Sequence, residues 1–248
     1  MSSIWGKILG GVAGFALGGP LGALLGALGG HAIDKLREDG GGHPHVADQT
    51  KSVAFTIAVI VLGAKMAKAD GHVTQEEIRA FKEVFQVPPE ELDNVARVFN
   101  QAKRDSAGFE VYARQVAGMF RDSPAMLEEM LWCLAHIAQA DGVVHPAEAN
   151  FLHRVAEIFG LDEAAFERVT AIRDAAGPGD ADPYKVLGVA RTADNDTIKA
   201  AHLNLVRENH PDRLIAQGMP EEFVVTANQK LAAINAAWDR IKTERGII

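Results

Sequence analysis

Apolar positions along the chain fall into three regimes. From Ile8 to Ile33, ILGGVAGFALGGPLGALLGALGGHAI contains no formally charged residue. As one helix at ~1.5 Å per residue it is about 39 Å long, against a hydrocarbon core about 30 Å thick. The second regime opens with VAFTIAVIVLGA, Val53–Ala64, which is apolar almost all round. Twelve residues cannot cross a bilayer, so this segment belongs at the centre of a helical bundle. Helical spacing of apolar residues recurs over Glu76–Phe85, Pro89–Lys103, Gly108–Phe120, Pro124–Gln139 and Pro146–Phe159. In the third regime Asp182 and Pro183 start a short helix that Gly188 closes. Asp194 then caps a helix with Ile198, Ala201 and Leu205 on its inner stripe, joined there by His202 or Val206. Pro211 ends that helix at His210 and projects Asp212 from a loop. After Pro220, Ala227, Leu231, Ile234 and Trp238 form the stripe that packs back on it. No period-2 run appears, and the fold class read from the pattern is all-α.

Glycine changes the picture of the first regime. Gly10, Gly14, Gly18, Gly22, Gly26 and Gly30 follow an unbroken four-residue repeat, which lines them up in one narrow stripe. In water each costs a helix roughly 1 kcal/mol. In lipid the small stripe lets two backbones approach closely, and unpaired backbone groups cost more still. The pattern therefore predicts a transmembrane helix, kinked at Pro20, that associates with a second copy. A cleavable signal peptide and a hairpin turning at Gly18-Gly19-Pro20 remain open; each arm of such a hairpin, about 12 residues, is too short to span alone. Lys35 and Arg37 behind the run lean towards a cytoplasmic C-terminal side.

Charge divides the chain in the same places. The formal net charge is −8. Residues 1–39 balance three basic against three acidic side chains, and residues 182–248 balance nine against nine, so the whole excess lies in 40–181. An acidic chain of this kind is not a nucleic-acid binder. Cys133 is the sole cysteine, which excludes an intramolecular disulfide and a Cys-based metal cluster. The units expected are an anchor at 1–37, a linker at 38–49, a helical domain at 50–172, a linker at 173–181 and a C-terminal unit at 182–248. No nucleophile–base pair, P-loop, dinucleotide fingerprint or HExxH helix appears, so no enzyme activity and no cofactor are expected. His136 and Cys133 read as core neighbours.

The helical domain contains an internal echo. KADGHVTQEE and QADGVVHPAE place Asp70, Gly71, Val73 and Glu77 each 71 positions before Asp141, Gly142, Val144 and Glu148. Two helix-to-helix turns account for all of them: glycine past a helix end, a Thr74–Glu77 capping box, and Pro146 at a first helical position. The alternative is that Asp70, Glu77, Asp141 and Glu148 converge as oxygen ligands for Ca²⁺ or Mg²⁺. With its paired ADG-type turns, 50–172 resembles the TerB-like tellurite-resistance domain, and the resemblance implies a scaffold or sensor.

DPYKVLGV, the helix carrying Ile198 and Lys199, His210-Pro211-Asp212 and AAINAAWDRI together resemble the J-domain of DnaJ-type co-chaperones. The order of an apolar N-terminus, a TerB-like middle and this unit is similar to the DjlA type of membrane-anchored bacterial proteins. The resemblance implies docking on a DnaK-type heat-shock chaperone and stimulation of its ATP hydrolysis. Asp212 would pair with a partner arginine, His210 and Pro211 would fix its loop, and Lys199 and Arg207 would steer the helix. Relatives carry a denser basic and aromatic run where this chain has Ala200, His202, Leu203 and Asn204. The thinner steering charge implies weaker docking or a partner with a more apolar contact, which Leu203 would supply unless it is simply tolerated there. The resemblance also implies a single-pass protein of the bacterial inner membrane with both folded units in the cytoplasm. The other reading it leaves is a scaffold in a metal or envelope stress response with a weakly active J-domain.

Overall fold

A computed structural model describes residues 19–28, 44–70, 74–105, 108–176 and 181–247, with the backbone alone for 24–28, 44–50, 69–70 and 176. The described residues form helices and their turns, with no strand among them. The α-helices are α1 (Gly19–Leu28), α2 (Pro44–Asp70), α3 (Gln75–Phe85), α4 (Leu92–Arg104), α5 (Phe109–Met119) and α6 (Pro124–Ala138). They continue with α7 (Pro146–Phe159), α8 (Glu163–Ala176), α9 (Pro183–Leu187), α10 (Asn195–Glu208), α11 (Pro211–Ala216) and α12 (Val224–Arg245).

Helix α2 is the axis of the first unit. Every residue from Val53 to Ala67 is buried, as a helix apolar on all sides requires. Helices α4, α5, α6 and α7 pack around it. The one hydroxyl in that run, Thr56 Oγ1, donates to Ser52 O at 3.1 Å. Lys65 escapes the apolar surroundings by reaching Asp105, 3.0 Å from both its carbonyl and its carboxylate. The same carboxylate accepts from Tyr112 Oη at 2.7 Å. Tyr112 loses its proton far less readily than a free tyrosine, through burial first and that acceptor second. The local signals read from sequence are present: Thr74 and Glu77 form a reciprocal capping box, and Pro146 opens α7.

The described residues differ from expectation in three places. Helix α2 starts at Pro44, so the second half of the stretch expected as a tether over 38–49 is helical. Proline is pre-set for a first helical turn, and the apolar run behind it propagates the helix. In the N-terminal region, Gly19 has φ +57°, outside the right-handed helix, so no kinked helix runs unbroken through Pro20. Helix α1 instead begins there and lies on α4 and α5, with Leu21 fully buried and its N–H donating to Gln115 Oε1 at 2.9 Å. Ten residues are about 15 Å of helix. Among the described residues no helix is long and apolar enough to cross a membrane. Gly22 is buried on this contact. Gly10, Gly14, Gly18 and Gly30 lie outside the described residues, and Gly26 is in α1. Third, α8 forms without having stood out in the sequence.

Helix α8 positions the second unit. It packs on α6, and also on α9 and α12. A single hydrophobic core runs through both units. Phe223, wholly buried, stands edge-on to Phe55 (4.9 Å between centroids) and Phe85 (5.2 Å). Ser52 Oγ donates to Gly218 O at 2.9 Å. Beneath lies an ion pair with no solvent exposure: Lys230 Nζ is 3.2 Å from Glu129 Oε2. Its distance is that of an ion pair, but neither partner has a well-aligned hydrogen bond. Burial raises the Glu129 carboxyl above its usual range, outweighing the pull of Lys230 in the other direction.

Removing one member of this pair leaves an uncompensated buried charge. Lys230→Met is expected to cost about 3 kcal/mol near neutral pH, and Glu129→Leu with Lys230→Met to restore wild-type stability or exceed it. A carboxyl raised in the folded state is tolerated below its ordinary pKa and opposes folding as pH rises through the raised value. The gap between Lys230→Met and wild type therefore narrows as the pH falls towards about 4. Urea unfolding of the full chain across pH checks both expectations.

Candidate functional site

Helices α10 and α12 run as a hairpin closed by α9 and by the short α11. Helix α10 starts where Asp194 Oδ1 accepts the Thr197 N–H at 2.7 Å, a bond that holds the Asp194 carboxyl below the usual carboxylate range. Ile198 and Leu205 are buried, while Ala201, His202 and Val206 are half-buried. His202 stacks on Trp238 (5.2 Å, 12°) and lies 2.9 Å from Asn235 Oδ1. The opposite stripe faces solvent: Lys199, Leu203 and Arg207 are exposed, with Leu203 at 56%.

At the end of α10 the buried Asn209 folds back, its Nδ2 donating to Leu205 O at 2.9 Å. His210 then turns to extended backbone (φ −66°, ψ 130°), as a residue before proline must. Sequence pattern placed Asp212 in a loop; the structure places it in the first turn of α11, because proline that ends one helix is equally suited to open the next. His210 is the N-cap: its Nδ1 accepts the Asp212 N–H at 3.2 Å. The Asp212 carboxylate lies 3.8 Å from the same nitrogen, beyond hydrogen-bond distance. Pro211 is buried, His210 half-exposed, and the Asp212 side chain 90% exposed. A charged acceptor thus stands clear of the surface on a backbone fixed from both sides.

The four acidic residues of the paired turns fare differently. Glu77 Oε2 accepts Thr74 N–H (2.6 Å) and Oγ1 (3.0 Å), Glu148 Oε2 accepts His145 N–H (2.9 Å), and Asp141 Oδ1 accepts Val143 N–H (3.0 Å). Each has a cap or turn to hold, and the side chain of Asp70 lies outside the described ones. Among the described residues no group of three acidic, histidine or cysteine side chains is placed to hold a metal ion. Cys133 is wholly buried and its thiol pKa is pushed well up by that burial; His136, stacked on Trp132, has its imidazole pKa lowered by burial.

Three protein-family models match in order along the chain. They are the co-chaperone DjlA transmembrane domain over residues 1–52, tellurite resistance protein TerB over 56–171, and the DnaJ domain over 182–245. Co-chaperone protein DjlA of Photobacterium profundum is 33% identical over 98% of this chain and 99% of its own length. Those of Aliivibrio fischeri and Vibrio cholerae are each 34% identical with the same coverage. The chain belongs to the DjlA co-chaperone family. No solved structure gives a significant match.

Within this DjlA-family chain the J-domain is held by residues that sequence reading passed over. Arg245, in the last turn of α12, donates from Nη1 to Ala193 O (2.7 Å) and Asn195 Oδ1 (3.0 Å), and from Nε to Tyr184 Oη (2.9 Å). Its guanidinium lies over the Tyr184 ring at 5.1 Å, and that of Arg191 at 4.6 Å. Arg191 in turn pairs with Asp182 and Glu244, both at 3.2 Å. This clasp ties α9 and the start of α10 to the far end of α12. Its only trace in the sequence is the late position of Arg245, where a cation also suits a helix C-terminus.

Arg245→Lys keeps the charge and loses the fork. It is expected to cost about 1–2 kcal/mol of stability, read as a lower urea midpoint, while the exposed face of α10 and Asp212 are untouched.

Proposed function

We propose that the chain is a membrane-tethered co-chaperone whose J-domain docks on a DnaK-type chaperone and stimulates its ATP hydrolysis. The observation that carries the reading is the Asp212 carboxylate, 90% exposed and backbone-fixed by His210 and Pro211. Paired with a partner arginine, such a carboxylate gives a contact that is selective in direction as well as attractive. Lys199 and Arg207 supply the approach and Leu203 the apolar contact, all three on one exposed stripe. The reaction belongs to the partner, and the reading assigns no catalysis or cofactor to this chain.

In this reading the chain is a single-pass protein of the bacterial inner membrane, with the TerB-like unit and the J-domain in the cytoplasm where the partner and ATP are; the match of residues 1–52 to a transmembrane domain supports the anchor. In this reading the glycines that precede α1, Gly10, Gly14 and Gly18, serve self-association as a homodimer, since Gly22 is buried within the chain itself. Clients then meet the chaperone beside the membrane.

Asp212→Asn removes the charge and keeps the shape. The stimulated turnover of DnaK is expected to fall to its unstimulated rate, with the unfolding midpoint of the variant unchanged. Turnover equal to wild type overturns the docking claim and leaves the scaffold reading. Added protease is expected to cut the C-terminal unit only after spheroplasts are broken; cutting in intact spheroplasts contradicts the topology.

A further inference from the structure

A cavity of about 350 Å³ opens between α2, α3 and α4, in the TerB-like unit and apart from the docking face. Met66, Phe81 and Phe99 wall it, the two rings edge-to-face at 5.7 Å, and Gly63 lies along its floor. Lys82, exposed, and Lys103, half-buried, are among its lining residues, and neither has a hydrogen bond or ion pair among the described residues. The acidic side chain that lines it, Glu77, is buried and spent on the cap of α3.

Gly63 is the telling residue. It sits in the interior of a long helix, where glycine costs roughly 1 kcal/mol relative to alanine. Packing does not demand it: a Cβ there would meet Phe81 Cε2 at 3.8 Å and Leu134 Cδ2 at 4.0 Å, ordinary contacts. The glycine spares room in the cavity that the fold itself has no need to leave empty. Two cations beside that room without a carboxylate partner among the described residues mark a local place for an anion on an otherwise acidic unit. The volume falls in the range of small-ligand pockets, about 300–1,000 Å³.

We propose that this cavity takes the acyl chain of a long-chain fatty acid, with the carboxylate held by Lys82 and Lys103. On the reading that residues 1–52 anchor the chain in a membrane, the site is supplied from the lipid nearby. It is independent of docking at Asp212.

The test is photo-crosslinking of the full chain in phosphatidylcholine nanodiscs with a diazirine-bearing palmitic acid, compared with its methyl ester. Adducts of the acid are expected on peptides from α2, α3 and α4, with ester labelling there at least fivefold lower. Lys82→Glu with Lys103→Glu is expected to cut acid labelling at least fivefold without changing the helical circular dichroism. Gly63→Ala is expected to raise the unfolding temperature and lower labelling, and Gly63→Leu to abolish it. Equal labelling by acid and ester, adducts confined to other helices, or full labelling of the double lysine variant overturns the proposal.

Discussion

Phe223 packed edge-on against Phe55 and Phe85 is the contact on which the arrangement of this chain depends. Three rings from three helical segments make one core out of what composition and charge had divided into two units. Burial of a whole aromatic side chain is among the largest single contributions a residue makes. Phe223 sits between α11 and α12, so its anchorage fixes both the helix that carries Asp212 and the helix that supports α10. The exposed stripe of α10 and Asp212 are consequently tied to the TerB-like unit through a shared core.

The Glu129–Lys230 pair beneath it adds direction at a cost. A buried ion pair with poorly aligned hydrogen bonds recovers little of its desolvation, and apolar residues of similar volume would stabilise the contact as well or better. What such a pair enforces is register. Slide α12 by one turn and two charges are stranded in an apolar core; with leucines at both positions the same slide costs little. The pair therefore disfavours alternative dockings of the J-domain more than it strengthens the native one.

Local chemistry was legible in the sequence. Thr74 with Glu77, Pro146, Asp182 with Pro183, and Asp194 announce their helices because caps act over three or four residues. The exposed stripe of α10 was legible for the same reason, since Lys199, Leu203 and Arg207 follow from helical period alone. Helix α8 did not stand out: its buried positions include two alanines among Val169 and Ile172, and the helix packs on elements of both units. Lys230 and Glu129 could not be paired from sequence, yet each was visible as a charge interrupting an apolar stripe. Pro211 was ambiguous in principle, because the same ring geometry ends α10 and begins α11.

The thin positive face of α10 decides how the proposed docking divides its labour. Lys199 and Arg207 are two exposed cations, and Arg207 already donates to Asn204 Oδ1 at 2.6 Å. At physiological salt their field fades over about 8 Å, so they act only once the partner is nearly in place. Leu203, at 56% exposure, still has apolar surface to bury, and full burial of a leucine is worth roughly 1.5–3 kcal/mol. That contribution has no preferred direction and is almost indifferent to salt. Asp212 is the reverse: its charged hydrogen bond forms in one geometry and fails in others. Affinity then resides largely in the leucine and selectivity in the aspartate. A J-domain built this way binds weakly to wrong surfaces, because an apolar contact alone cannot align the pair, and it still finds the right one where ionic steering is weak.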